Sequence, residues 1–462
     1  MGEKECEKVF AAASRRITPS AAELKAEKRF ASQASKRLAS RLPKDAEVNF
    51  VGSAARDTGI AGDRDIDLFI SFSKERSRDE IVELTRRAAL AVHPDWEMHY
   101  AEHPYLQAVV RGFKVEVIPC YRIVENEALA SAVDRTPLHA LYLQKHLSSR
   151  QKRDVRLLKQ LLKSHGIYGA EAEVEGFSGL VCEYLVLNYR SLHGLLQSAA
   201  KWVPPVILDI EGAYDGEEDA LRAKFQHHLV LVDFVDCNRN AAAAISETNF
   251  SRLILLAREF LARPSLQLLF PKRLPCSSAL LSKTLVRRMH MVVMVMPSPK
   301  GIVSDILVPQ LRHTQRSLER HLALEGFRVF GSHSFCTGSE CALVFELESA
   351  SAPKLKRRAG PPVTLEKDVS KFLASHGRVL RGPYVEGGRV FVEEASGGSA
   401  ESFLAGARAR GRSLGVASHF LKPFSKARIL SGGSILKAAG RNKGLSEGLC
   451  AYVLRAEGFL RR

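Results

Sequence analysis

The period of apolar and polar positions changes along this chain, and the changes mark its parts. From Asp65 to Phe72 the two kinds alternate, with Ile66, Leu68, Ile70 and Phe72 on one side. Period two predicts a half-buried strand and puts Asp65 and Asp67 together on its opposite face. Val109 to Pro119 is a second strand region, broken at Arg111-Gly112. In its later part Phe113, Val115 and Val117 share one face, and Lys114 and Glu116 take the other. Residues from about 20 to 42 have helical composition (Ala21, Ala22, Leu24, Ala26, Phe30, Leu38) closed by Pro43, and Asp79 to Val92 predicts another helix. From about 139 to 270 the pattern is helical. Within Lys152 to His165, Val155, Leu158 and Leu162 form an apolar stripe. Beside it Lys152, Arg156, Lys159 and Lys163 recur at spacings of four, three and four, which suits a solvated face as readily as a binding one. Leu253 to Leu261 predicts a helix ended by Arg263-Pro264. After Pro271 a helix is expected over Leu307 to Glu325, with strands at Phe327 to Phe330 and Cys341 to Leu347. Ser349 to Pro362 and Ser396 to Ser402 have the composition of flexible segments, and no internal repeat is evident.

The chain has 462 residues, enough for two to four domains with separate cores. Hydrophobic content of 45% and charged content of 26% are those of a globular protein. The longest aliphatic and Met run, Val292 to Met296, is far too short to span a bilayer. The N-terminus lacks the apolar core of a signal peptide, and Cys6 stands where a myristoylation signal wants Ser or Thr, so a cytoplasmic location is expected. Eight cysteines without a Cys-x-x-Cys predict reduced, mostly buried thiols rather than a disulfide framework or structural zinc. His-Glu-x-x-His does not occur, and the adjacent His227-His228 cannot chelate from one helical face. A net charge of +17 suits a polyanionic partner, though a ribosome-associated or membrane-surface protein would share it. Arg408, Arg410 and Arg412 form a dense basic cluster, either a phosphate contact or a solvated loop.

The chemistry lies where the first strand meets what precedes it. Gly52-Ser53 stands twelve positions before Asp65, ahead of a turn. Its backbone N–H groups and hydroxyl suit phosphate oxygens. Two carboxylates about 7 Å apart along a strand can ligate hard cations. Asp is depleted in strands, so two at alternate positions need a reason. Gly-Ser alone is an ordinary turn; the combination is the pattern of a nucleotidyltransferase.

The run Val51 to Phe72, followed by Tyr100-Ala101-Glu102-His103-Pro104-Tyr105 and Val115-Glu116-Val117-Ile118-Pro119-Cys120-Tyr121, resembles the archaeal-type (class I) CCA-adding enzymes. These are tRNA nucleotidyltransferases of the polymerase-beta-like superfamily. The resemblance continues in order through Ser131 to Pro137, Val155 to Lys159, Gly166 to Glu171, Gly176 to Gly179 and Asp236 to Ala242. It is looser in the final third, around Gln310-Leu311, Glu325 to Phe327, Lys371 to Leu373 and Gly387-Gly388.

The resemblance implies an α+β multidomain protein. A nucleotidyltransferase head with a small mixed or antiparallel sheet would cover 1–138, a helical central domain 139–272, and an α/β C-terminal tRNA-binding body and tail 273–462. It also implies template-independent addition or repair of the tRNA 3′ C-C-A from CTP and ATP. Mg²⁺ would be held by Asp65, Asp67 and Glu116. Gly52, Ser53 and Arg56 would meet the triphosphate, with Lys159 and Tyr168 reaching it from the helical domain. His103 and Arg239 would lie near the incoming base or its phosphates, and Thr136 and His139 would line the nucleotide site. The tail would grip the tRNA acceptor stem and T arm, with no membrane involved and room for a homodimer. Glu116 departs from the pattern, since the third carboxylate is usually Asp. Two rivals stand beside this reading: another superfamily member such as a poly(A) polymerase or 2′-5′ oligoadenylate synthetase, and a diverged paralogue that binds RNA without catalysis.

Overall fold

The computed structural model describes residues 3–100, 104–123, 129–272, 278–286, 288, 290–377, 379–454 and 457–460. They form two compact units, Met1–Lys272 with Gly458–Arg462, and Arg273–Glu457. The first opens with helices α1 (Glu3–Ile17) and α2 (Ala21–Ala39). Ser20 starts α2 with a capping box: its hydroxyl accepts from the Glu23 N–H, and the Glu23 carboxylate accepts from the Ser20 N–H. There follow β1 (Glu47–Val51), the short α3 (Gly52–Ala55), β2 (Asp65–Phe72), α4 (Arg78–Ala89), β3 (Glu97–Tyr100), β4 (Pro104–Val110) and β5 (Phe113–Tyr121).

The five strands make one sheet in the order β1-β2-β5-β4-β3. Strands β2 and β5 are parallel, and the other neighbours are antiparallel. Alternation works as expected here. Ile66, Leu68, Ile70 and Phe72 are fully buried with Val115 and Val117, against Phe30, Ala31, Ala34 and Leu38 of α2. Arg111 (φ 53°) and Gly112 (φ 80°) both take left-handed backbone and turn β4 tightly into β5.

Helices α5 (Arg135–His146), α6 (Ser149–Ser164), α7 (Gly179–Asn188) and α8 (Leu192–Ala199) follow. After them come β6 (Val206–Leu208), α9 (Glu218–Lys224), β7 (Leu229–Leu231), α10 (Glu247–Ala262) and α11 (Leu266–Leu269). Strands β6 and β7 pair in parallel. The apolar stripe of α6 is buried together with Val181, Leu185, Phe250, Leu253 and Phe260, and Phe10 of α1 stacks on Phe260 at 5.4 Å.

The second unit begins with α12 (Ser278–Val286), β8 (His290–Pro297), α13 (Ser304–Leu324), β9 (Val329–Thr337) and β10 (Glu340–Leu347). It continues with β11 (Leu355–Pro362), α14 (Glu366–Ser375), β12 (Arg381–Glu386), β13 (Arg389–Ala395) and α15 (Ala400–Ala407). Its last elements are α16 (Leu421–Ser425), β14 (Arg428–Ser431), α17 (Gly433–Ala439) and α18 (Lys443–Val453). Two antiparallel sheets result, β14-β8-β10-β9 and β11-β13-β12.

Two expectations are corrected here. The segment ending at Pro362 is not simply flexible: its last eight residues are strand β11, whose Arg357 and Arg358 sit opposite Glu393 and Val392 of β13. Cys336 and Cys341 are not reduced thiols either. Register puts them directly opposite on β9 and β10, and their sulfurs are bonded at 2.19 Å. Cys6, Cys120 and Cys182 are free and buried. Among the described residues no helix is long and apolar enough to cross a membrane.

Candidate active site

Strand pairing builds the site. Because β2 and β5 are parallel, Asp67 lies beside Glu116 and Asp65 beside Lys114. Antiparallel β1 brings Val51 against Asp67 from the other side, so the turn into α3 begins at the Asp67 carboxylate. Gly52 has φ +78°, and a Cβ there would sit 1.9 Å from Asp67 Oδ2. Only glycine allows both the left-handed backbone and this approach.

Two of the three carboxylates, Asp65 and Asp67, are held above their ordinary values, chiefly by burial. Burial pushes Asp67 up to about 7, with Glu116 and Asp65 adding to it and Arg56 and Lys114 opposing. Burial also raises Asp65, with Lys114 working against it. Glu116 Oε1 accepts from Gln107 Nε2 at 2.7 Å and Lys114 Nζ at 2.9 Å. Lys114 is thus the cation these three acids share. All-oxygen donors with surplus negative charge fit a hard divalent cation. Among the described residues no three His, Cys, Asp or Glu side chains are drawn together at ligating distance.

The basic stripe of α6 is not a solvated face. Lys152 pairs with Asp57 at 3.8 Å, Arg156 donates to the Asp57 carbonyl, and Lys163 pairs with Asp63 at 2.6 Å. Between them Lys159, 2% exposed, donates to the Thr58 carbonyl at 3.0 Å. All four grip the loop that joins α3 to β2.

Around Lys159 lies a buried polar group. The Glu183 carboxylate of α7 accepts from Arg56 Nε (3.0 Å), Arg56 Nη2 (2.9 Å) and Thr58 Oγ1 (2.6 Å). Desolvation opposes its charge, but Arg56 and Lys159 outweigh it and hold the carboxyl below its ordinary range. Burial lowers the pKa of Lys159 despite Glu183. Tyr168 is half-buried, with Lys163 Nζ 5.2 Å from its ring centre. The Tyr168 hydroxyl and Lys159 Nζ converge on Gly179, where a Cβ would lie 3.4 and 3.7 Å from them.

His139 and Arg239 meet through a third residue. Asp233, 2% exposed, accepts from His139 Nε2 at 2.7 Å and Arg239 Nη1 at 2.6 Å. Burial pushes the Asp233 carboxyl up, but hydrogen bonds from His139, the Val235 N–H and Arg239 win and bring it down to about 2.

Among the residues expected from sequence, Gly52, Arg56, Asp65, Asp67, Glu116 and Lys159 share one electrostatic neighbourhood, and Tyr168 adjoins it beside Gly179. Ser53 stands half-buried in α3, and Thr136 half-buried in the first turn of α5. His139 and Arg239 form a separate pair on Asp233. His103 lies outside the described residues. Arg408, Arg410 and Arg412 are exposed and belong to the second unit. Glu183, Thr58 and Asp233 were missed. For the two acids the signal was a charge inside an otherwise apolar run, Leu180 to Val186 for Glu183 and Leu229 to Val235 for Asp233; such acids are almost never buried unless paired.

Carboxylates on paired parallel strands under a glycine turn define the head as a nucleotidyltransferase domain, and residues 31–139 match that domain family. Residues 153–270 match the second domain of tRNA nucleotidyltransferase, and 287–417 the C-terminal domain of CCA-adding enzyme. The chain is 38% identical over 354 residues to the CCA-adding enzyme of Methanothermobacter thermautotrophicus, covering 76% of each chain. It is 39% identical over 349 residues to that of Methanoregula boonei, covering 74% of each. Against that of Halobacterium salinarum it is 36% identical over 386 residues, 82% of this chain and 83% of the relative. The chain belongs to the CCA-adding enzymes, a family of tRNA nucleotidyltransferases.

Proposed function

We propose that this enzyme adds or repairs the 3′-terminal C-C-A of tRNA without a template, using CTP and ATP and releasing pyrophosphate. The observation that carries this reading furthest is the register of Asp67 with Glu116 beneath the Gly52 turn. The work would be cytoplasmic. The head (1–138) would hold the reacting phosphate, the helical region (139–272) the nucleotide, and the remainder (273–462) the tRNA acceptor stem and T arm.

Asp65, Asp67 and Glu116 are assigned to divalent cations, here Mg²⁺, which when bound acidify the tRNA 3′-hydroxyl and offset charge on the leaving pyrophosphate. The remaining chemistry belongs to side chains of this protein. The tRNA 3′-oxygen attacks the α-phosphorus as its proton passes to solvent, and the bond from that phosphorus to the bridging oxygen breaks, so that pyrophosphate leaves with the electron pair. Gly52 and Ser53 supply backbone and hydroxyl donors to the triphosphate. Arg56, Lys159 and Tyr168 hold the β- and γ-phosphates through charge-assisted hydrogen bonds. Thr136 and His139 line the nucleotide, and Arg239, oriented by Asp233, reads the base edge with backbone groups. His103 is assigned beside the base from sequence alone.

The test uses tRNA ending in the discriminator base with CTP, ATP and Mg²⁺, read at nucleotide resolution. The parent chain should add C, C and A, whereas addition of A alone or of neither nucleotide would overturn the reading. Asp67→Asn should lose both additions, by about 100-fold or more, while binding tRNA nearly as well. Near-normal activity in that variant would remove Asp67 from the chemistry.

A further inference from the structure

We infer that Glu183 is a positioning residue for the nucleotide triphosphate, acting through Arg56 and Lys159. The inference rests on the reading above that these two cations meet the phosphates. Glu183 is fully buried on α7, and both its oxygens are occupied: Oε1 by Arg56 Nε and Thr58 Oγ1, Oε2 by Arg56 Nη2. Lys159 Nζ reaches the same Thr58, 3.0 Å from its carbonyl and 3.4 Å from its hydroxyl. A loop arginine, a helix lysine and a helix glutamate therefore close around one threonine.

Two features separate this cluster from an ion pair that only ties elements together. The first is its composition: two buried basic side chains, Arg56 and Lys159, face one buried acid, Glu183, and burial lowers the Lys159 pKa, which leaves the cluster with an excess of hydrogen-bond donors. A bound polyanion would supply the missing acceptors. The second is geometry. A guanidinium carries five N–H donors in a rigid plane. The bidentate contact to Glu183 engages two and fixes the plane, leaving three for other acceptors. Arg56 follows a helix of only four residues, and without Glu183 that side chain would sample many rotamers. Donors held in place before the ligand arrives are worth more than mobile ones. Arg56 also lies close enough to Asp67 to lower its pKa, so the fixed plane stands beside the candidate catalytic acids.

The experiment uses the full chain with Thr58→Val, Glu183→Asp, Glu183→Gln, Arg56→Ala and the double variant Arg56→Ala/Glu183→Asp. Inorganic tripolyphosphate binding is measured by calorimetry, and KM and kcat for CTP and ATP, tRNA affinity and thermal melting are followed alongside. Thr58→Val and Glu183→Asp should weaken tripolyphosphate by about three- to ten-fold and raise both KM values to match, with kcat less affected and tRNA affinity unchanged. Glu183→Asp should weaken tripolyphosphate less in the Arg56→Ala background than in the parent, because only the route through Lys159 is then left. If Glu183→Gln fails to fold, Thr58→Val still carries the test. Lower melting with unchanged tripolyphosphate binding would overturn the inference, as would additive effects in the double variant or a parent that binds no tripolyphosphate. A parent that shows the Glu183-dependent tripolyphosphate binding yet adds neither C nor A would sink the CCA reading and leave this one standing.

Discussion

Gly52 shows how one residue ties the phosphate turn to the catalytic strand. Its backbone is left-handed, and the space a side chain would fill is taken by the Asp67 carboxylate. Gly52→Ala should therefore cost about 1–2 kcal/mol in backbone strain, and it must also swing Asp67 away from Glu116. The expected result is a loss of C and A addition out of proportion to the loss of stability, read from kcat beside urea unfolding. Wild-type kcat in that variant would mean that Asp67 need not lie against the turn. At this scale the sequence was readable where chemistry leaves a local mark. Alternation alone placed Asp65 and Asp67 on one face, and Lys114 with Glu116 on another. It was silent where the partner is distant in the chain. Arg56 and Glu183 are 127 positions apart, and His139 and Asp233 are 94 apart. No local pattern in Val-Asp-Phe or Cys-Glu-Tyr says which cation will arrive.

Among elements, α6 was the hardest to judge beforehand. Its four basic residues at helical spacing have the composition of a solvated face, and only tertiary structure shows each of them turned onto residues 57 to 63. Strand β11 failed for the opposite reason: its Lys-Arg-Arg and Pro content hides a strand whose charges pair with β13, Arg358 with Glu394 at 3.2 Å. The joint between α5 and the loop after β7 is likewise built from one buried acid, and it predicts a pH dependence. Asp233 sits near 2 when folded, below the usual carboxylate value of 3.8. A depressed pKa contributes stability above the unfolded value, and that contribution is lost as pH falls through the folded one. The contribution at neutral pH is on the order of 2 kcal/mol. Asp233→Asn should therefore be less stable than the parent at pH 7, with the gap closing between about pH 4 and pH 2. Denaturant unfolding at a series of pH values measures this, and a constant gap would show that the His139 and Arg239 contacts do not hold the carboxyl down. Arg239 should also lose its fixed orientation in the variant, so misincorporation at the C and A steps should rise together.

For the molecule as a whole, charge is the property that sequence states most directly, and its distribution decides what it does. A net +17 over the chain favours RNA broadly, yet the basic groups near the candidate site already have protein partners: Arg56, Lys152, Arg156, Lys159 and Lys163. The cluster near the end of the second unit differs. A short 3₁₀ turn, Arg408–Arg410, follows α15, and all three of its neighbouring arginines are exposed. Arg408 is steadied by carbonyls, with Nε 3.3 Å from Ala405 and Nη1 3.2 Å from Ala427. Arg410 and Arg412 are exposed beside it. Each phosphate neutralised releases counterions and steepens the dependence of affinity on salt by a little under one in the log–log slope. Replacing Arg408, Arg410 and Arg412 together by Gln should lower tRNA affinity and make that slope shallower by about 2 to 3. The affinity for CTP and ATP should not change, because the triphosphate contacts are assigned to the first unit. Binding isotherms across a salt series with full-length tRNA give both quantities. A slope equal to that of the parent would make the cluster a solvated turn, and a change in nucleotide affinity would mean that the two units share the work in a way this assignment does not contain.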